Sequence, residues 1–303
     1  MSVSATIFNI SRGSFHDGPG VRTVIYLKGC GLSCKWCHNP EGQLKKVQLS
    51  YSENKCIGCG ECVKICKKGC FAQRGSLFVE FSKCDACAEC VKSCPSGALT
   101  LIGEKMTSGR VFKILENDRV YFERSGGGAT FSGGECLLYP EFMEDILLLC
   151  KNAGIHTLIE TSLDVSESTV LRILPISNAV YADIKHMNTK IHKDYTGRGN
   201  ERILKNFAAV AKIHDNITVR VPLIPDINDD IENLEKTVEF AMSCGIPGME
   251  LLRYNYLAGS KYDSIGRKII SFSESAHTIS KMDELCVRLN KLAGKDGFVK
   301  YQK

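Results

Sequence analysis

Eleven of the sixteen cysteines in this 303-residue chain fall into three regular arrays, and no other feature restricts its folding as strongly. The first array is Cys30, Cys34 and Cys37, spaced C-x3-C-x2-C directly after the apolar run from Val21 to Leu27. The others are Cys56, Cys59, Cys62 and Cys66, then Cys84, Cys87, Cys90 and Cys94, each C-x2-C-x2-C-x3-C. Thiolates so spaced share a centre, which ties each loop down before any apolar core is considered. The start Met1-Ser2-Val3-Ser4-Ala5 lacks the basic and apolar parts of a secretion signal. So many cysteines then argue for metal clusters in a reducing cytoplasm, not for disulfides. A [4Fe–4S] cube is usually held by four cysteines, so a loop offering three leaves one iron open. An open position is where a catalytic metal binds and activates a small molecule. Three structural zinc thiolates are the competing reading. The doubled four-cysteine rhythm weighs against zinc.

That doubled rhythm, with Pro95 after the second run, is the bacterial ferredoxin pattern, in which the fourth cysteine of each run serves the other cluster. It assigns Cys56, Cys59, Cys62 and Cys94 to one [4Fe–4S] cluster and Cys84, Cys87, Cys90 and Cys66 to a second. Cys70, where the second run has Ala98, is another candidate for the crossing ligand. Gly58, Gly60, Ala86 and Ala88 are small enough to let backbone amides approach the cluster sulfurs. Cys136, Cys150, Cys244 and Cys286 are scattered and read as buried small hydrophobes. Residues 51–102 are therefore expected to form a ferredoxin-like insert in a main domain made of residues 1–50 and 103–303.

The main domain alternates. Strand-like runs lie at Val21–Leu27, Ala129–Ser132, His156–Thr161, Ala179–Ile184, Ile217–Ile224 and Met249–Tyr254. Helical stretches lie at Met106–Asn117, from Pro140 onward, at Ser166–Leu174, Glu201–Ile213 and Ile231–Met242, with a last one at Ser273–Leu292. This alternation is that of βαβ units with a parallel sheet, and six strands suit an α/β fold with an incomplete (β/α)6 barrel. Chemistry in such folds collects at the strand carboxyl ends. The cysteine loop, Gly133-Gly134-Glu135, Glu160-Thr161, Asp183-Ile184-Lys185 and Arg220 all fall there.

The first array, with Trp36 completing C-x3-C-x-aromatic-C, resembles the radical S-adenosylmethionine (SAM) superfamily. His16-Asp17-Gly18-Pro19-Gly20-Val21-Arg22, Thr130-Phe131-Ser132-Gly133-Gly134-Glu135, Asp183-Ile184-Lys185 and Tyr195-Thr196-Gly197 narrow the resemblance to glycyl radical enzyme activating enzymes. More narrowly, they resemble the subgroup with a two-cluster ferredoxin insert. The resemblance implies an oxidoreductase that cleaves SAM reductively to a 5′-deoxyadenosyl radical and abstracts a Cα hydrogen from a glycine of a partner enzyme. It implies catalytic Cys30, Cys34 and Cys37, three [4Fe–4S] clusters in all, and SAM contacts from Trp36, Gly133, Gly134, Glu135, Asp183, Lys185 and Arg220. It also implies a monovalent cation held by Asp17, Thr161 and Asp183. The bland alternatives are a glycine-rich turn with a surface glutamate at Glu135 and an ordinary ion pair at Arg220. The chain departs from the family at Asn255, where a histidine is usual, and at Cys136, where a proline is usual.

A net charge of +5 with dispersed basic residues leaves no footprint for nucleic acid. No apolar run approaches the roughly 20 residues a membrane span needs. The expected protein is a cytoplasmic, anaerobic monomer reduced by flavodoxin or ferredoxin. The rival functions are a radical SAM enzyme acting on a small molecule or another peptide, and a polyferredoxin electron carrier.

Overall fold

The computed structural model describes residues 3–74 and 76–302. Six strands, Arg22–Leu27, Gly128–Gly133, Thr157–Thr161, Ala179–Asp183, Ile217–Pro222 and Met249–Leu252, lie side by side in chain order. All five of their pairings are parallel. Helices Pro140–Asn152, Glu167–Ile173, Glu201–Val210 and Ile231–Ser243 form the crossovers. Pairing runs to an edge on each side without closing, so the barrel is incomplete, as expected.

Three further strands of this sheet escaped the sequence reading. Ser4–Ser14 pairs antiparallel with Arg22–Leu27, and Glu104–Thr107 pairs antiparallel with Ser4–Ser14. Val299–Tyr301 adds to Met249–Leu252 on the far edge. The signal for the first was the buried alternation of Ala5 and Ile7. The other two are only four and three residues long, too short for a period to register.

Caps set the helix ends. Ser166 accepts from the Thr169 amide and Asp230 from the Asn233 amide, each satisfying an otherwise orphaned donor. Thr278 does the same for Lys281, so the last helix runs Ile279–Ala293. It therefore starts six residues later than its apolar spacing indicates. Pro140 opens its helix at the first turn, where a missing N–H costs nothing. The core between sheet and helices includes Phe131, Phe142, Ile146, Phe207, Leu234 and Leu285. Each such side chain contributes about 1.5–3 kcal/mol by its removal from water. Among the described residues no helix is long and apolar enough to cross a membrane.

The insert leaves and returns through a narrow neck. Gln48–Tyr51 pairs antiparallel with Leu99–Ile102, Gln48 standing opposite Ile102. At the base of the neck Lys28 is fully buried. Its Nζ donates to the Glu41 carbonyl at 2.6 Å and to Gln48 Oε1 at 2.9 Å. Burial pushes its pKa down to about 8. We expect Lys28→Met to leave both acceptors unpaired and to cost about 1–3 kcal/mol, read as a lower thermal midpoint. Unfolded lysine holds its proton to about pH 10.4, so the wild-type chain gains stability as pH rises through the window above pH 8. The variant should lose that rise.

Candidate functional site

The three-cysteine loop follows the Arg22–Leu27 strand, and backbone hydrogen bonds pin it. The Ser33 and Lys35 amides donate to the Thr196 and Tyr195 carbonyls at 2.8 and 3.0 Å, and the Cys30 amide donates to Gln43 at 3.0 Å. Tyr262 donates its hydroxyl to the Cys37 carbonyl at 2.9 Å. Gly197 permits this approach, since its φ is +83° and a Cβ there would lie 2.5 Å from Ser33 Oγ. The Tyr195-Thr196-Gly197 motif is thus a support for the cysteine loop.

Held this way, Cys30, Cys34 and Cys37 line one cavity of roughly 1240 Å3, open mouth included, and no fourth cysteine lines it. Burial pushes all three thiols up, Cys34 to about 12 although Lys185 pulls against it. Among the described residues no three His, Cys, Asp or Glu side chains converge as they would on a single ion. A four-iron cube is wider than an ion, and its thiolates ring a space. Three soft thiolates around an open cavity fit a cluster with one free corner.

The strand ends bring the other expected residues to the same cavity. Asp17, Trp36, Gly133, Gly134, Thr161, Asp183, Lys185 and Arg220 all line it. Asp17 arrives there because Arg22, fully buried, ties its loop down with hydrogen bonds to Thr130 Oγ1, the Ala129 carbonyl and the Pro19 carbonyl. Trp36 packs on Tyr195 and Phe272, with ring centroids 5.8 and 5.9 Å apart. Lys185 Nζ meets Asp183 Oδ2 at 2.6 Å. Burial works to lower the Lys185 pKa, yet Asp183 and Cys34 leave it raised overall. Arg220 is 7% exposed and pairs with Glu160 and, at 3.1 Å, with Glu250. It also lies 4.8 Å from the Tyr181 ring centroid. Arg220 is therefore ion-paired and also borders the cavity. Thr161 donates to Glu135 and accepts from the Leu163 amide, so one lone pair of its hydroxyl remains.

Glu135 stands apart from the other expected residues. It does not line the cavity and is fully buried. Its carboxylate accepts from the Leu137 amide, the Thr161 hydroxyl, and the amide and hydroxyl of Ser162. Burial raises its pKa against these four donors. Glu135 therefore ties one strand end to the next and has no face turned to a ligand. The glycines before it are also required by the protein itself. A Cβ on Gly133 would meet Leu27 backbone at 2.4 Å, and one on Gly134 the Gly29 carbonyl at 2.1 Å.

Ser132, Glu160, Ser162, His38 and Asn39 line the cavity as well. Glu160 Oε2 accepts from Ser132 at 2.6 Å. Ser132 and Glu160 sit near their strand ends, and that position was the available signal. Asn255 also lines the cavity. Cys136 is buried, its thiol 3.7 Å from the Glu160 carbonyl, and takes no part in the cavity.

The insert encloses two further cavities. Cys56, Cys59, Cys62 and Cys94 line the first, and Cys84, Cys87, Cys90, Cys66 and Cys70 the second. Gly58, Gly60, Ala86 and Ala88 all adopt left-handed backbone, φ +59° to +70° at the alanines and +70° to +72° at the glycines. A non-glycine residue there is strained. Two alanines held so show how strictly each loop must wrap its centre. The Ala86 amide already points at Cys84 Sγ, 3.4 Å away.

The Radical SAM superfamily model matches residues 92–241, and the 4Fe-4S binding domain model matches 49–71 and 77–100. The choline trimethylamine-lyase activating enzyme of Oleidesulfovibrio alaskensis is 39% identical over 86% of this chain and 87% of its own. The (2S)-3-sulfopropanediol dehydratase activating enzyme of Klebsiella oxytoca is 40% identical over 86% of this chain and 85% of its own. A radical SAM methyltransferase from Sphaerobacter thermophilus shares the fold at a TM-score of 0.53 and 11% identity, covering 99% of this chain and 77% of that one.

The role of Glu135 is open to a direct test. Glu135→Gln puts an NH2 group against donors, and we expect a loss of about 1–3 kcal/mol in stability with SAM affinity nearly unchanged. A large loss of SAM affinity at unchanged thermal midpoint would instead make Glu135 a ligand contact.

Proposed function

Because the chain belongs to the glycyl radical enzyme activating enzymes of the radical SAM superfamily, we propose that its main cavity holds SAM against a cluster on Cys30, Cys34 and Cys37. The chain activates a glycyl radical enzyme by radical SAM chemistry. The observation that carries the site assignment is three cysteines, with no fourth, on a cavity that also presents Asp183, Lys185 and Arg220. Cys30, Cys34 and Cys37 would hold the cluster, which would supply the electron for reductive cleavage of SAM and so the radical chemistry that takes hydrogen from the partner's glycine.

The chain's own residues bind, orient and exclude water. Lys185 offers a half-buried positive charge for the SAM carboxylate, at the cost of sharing Asp183. Asp17, Thr161 and Asp183 stand around one wall, where a monovalent cation would offset their charge. Trp36, Ile224 and Tyr254 pack together at the cavity edge and keep water from it. A second cavity, with His16, Tyr26, Glu41 and Lys261 on its walls, shares Asp17, Ser132, Glu160 and Asn255 with the first. This is the passage by which a partner's glycine segment reaches the site.

Two [4Fe–4S] clusters in the insert bring the total to three. They relay electrons inward from flavodoxin or ferredoxin to a monomeric enzyme. Sixteen unpaired cysteines suit a reducing, cytoplasmic setting. The partner is one glycyl radical enzyme whose own chemistry leaves little mark here.

Anaerobic reconstitution should give about twelve irons per chain. Cys34→Ala should abolish SAM cleavage and leave about eight irons, those of the insert. Cys90→Ala should remove an insert cluster and keep the site cluster. Dithionite-driven SAM cleavage surviving in the Cys34 variant would reject the site assignment.

The neck makes a second test practical. Residues 51–102 can be replaced by a short Gly/Ser bridge, because Gln48 and Ile102 are paired neighbours. For a relay, the deletion should slow cleavage driven by a protein donor far more than cleavage driven by a chemical reductant. Equal loss with both reductants rejects the relay, and intact SAM cleavage without a glycyl radical would make the insert a docking surface.

A further inference from the structure

The two halves of the insert repeat one another, and at one of the positions where they differ a cluster cavity gains a cysteine. After Cys94 the Gly97 amide donates to the Cys94 carbonyl at 3.4 Å, and Gly97 has φ +65°. After Cys66 the Gly69 amide donates to the Cys66 carbonyl at 3.1 Å, and Gly69 has φ +61°. The next residue is Ala98 in one half and Cys70 in the other, each 2% exposed. Each carbonyl there accepts an amide from another segment of the insert, Ser52 on Ala98 at 2.8 Å and Glu80 on Cys70 at 2.7 Å. Ala98 lines the first cavity. The same backbone turn therefore aims the Cys70 Cβ into the second cavity and adds a sulfur to it.

The second cavity thus carries five cysteines where a cube takes four. Cys84, Cys87 and Cys90 wrap it from one loop, and Cys66 and Cys70 approach from one turn. The Cys70 amide donates to Cys66 Sγ at 3.4 Å, so the two residues are neighbours on the wall of this cavity. The two cavities are similar in size, about 370 and 330 Å3 with their open space. Burial does not bar Cys70 from the corner, since the buried Cys62 and Cys90 stand in the same two cavities.

We propose that the fourth corner of the second insert cluster is served by either of two cysteines, Cys66 or Cys70, so that losing one leaves the cluster intact. This rests on the three-cluster reading above and adds to it. In the exchange an iron–sulfur bond to Cys66 is replaced by one to Cys70. The incoming thiol gives up its proton, the outgoing thiolate takes one, and no electron is gained or lost. The first cavity has no such reserve, because Ala98 occupies the equivalent place.

The test uses the full chain, reconstituted anaerobically, in four forms: wild type, Cys66→Ala, Cys70→Ala and Cys66→Ala/Cys70→Ala. Iron and sulfide analysis is combined with electron paramagnetic resonance of both oxidised and reduced samples. Each single variant should keep about twelve irons, and the double variant should lose about one to four of them. The reduced spectrum of Cys66→Ala should differ from that of Cys70→Ala, because the liganding sulfur differs. Cys94→Ala, which has no reserve, is the internal control and should lose iron by itself. A Cys66→Ala protein that loses iron as the double variant does, or shows an oxidised three-iron signal, overturns the proposal. Circular dichroism and retention of the barrel cluster distinguish that result from misfolding. Wild-type protein with well under about twelve irons would sink the cluster reading itself, and this proposal with it.

Discussion

The site depends on a backbone constraint more than on any side chain. A loop that offers three thiolates must be rigid without a fourth to close it, because the missing ligand is what leaves a corner for chemistry. Here rigidity comes from amides and carbonyls. Ser33 and Lys35 hang on the turn at Tyr195-Thr196-Gly197, Cys30 on Gln43, and the Cys37 carbonyl on Tyr262. These anchors lie far apart in sequence, and only the barrel brings them to one rim. The glycines at 133, 134 and 197 follow from the same crowding, since each sits where a Cβ would strike neighbouring backbone or Ser33.

Buried charge at the strand carboxyl ends is the second organising element. Arg220 stands between Glu160 and Glu250, and Lys185 beside Asp183, all at or near strand ends of one sheet. Taking such ions out of water is costly, and their pairing restores that cost only when geometry is good. Pairs kept at the edge of a cavity are therefore better understood as charges held ready than as stabilising contacts. A zwitterionic ligand needs both signs within reach, and the sheet supplies them without reorganisation. Glu135 shows the opposite case. It carries the same charge one residue past the same rim, but four donors inside the protein take up its oxygens.

The insert is organised by sulfur, with a small apolar core of Leu49, Phe71 and Leu99 among its cysteines. So small a core stabilises little by itself. Its two loops adopt the same left-handed turns whether glycine or alanine occupies them. Cluster binding and folding are coupled in such a unit. The antiparallel neck and the buried Lys28 tie it to the sheet, and Phe81 packs against Gly266 of the main domain.

Cluster ligation and strand–helix alternation could be read from the sequence because both are local. A cube binds cysteines at short fixed spacings, and a buried parallel strand is a short apolar run. The cysteine arrays, the crossing of Cys94 and Cys66 to opposite cavities, and the six parallel strands were legible for that reason. The flanking strands Ser4–Ser14, Glu104–Thr107 and Val299–Tyr301 were not, since the last two are too short for a period to register and the first alternates in burial only around Ala5 and Ile7. Positions at strand ends pointed to Thr161, Asp183, Lys185 and Arg220 for the cavity, while Asp17 and Trp36 were suggested only by the family resemblance. Whether each turns toward the cavity or into the protein was settled by its neighbours. Glu135 meets Ser162 and Thr161, and Arg220 meets Glu160 and Glu250, through contacts 26 to 60 residues distant along the chain. Hydrogen-bond competition of this kind leaves no trace in a spacing, so it belongs to the tertiary structure alone.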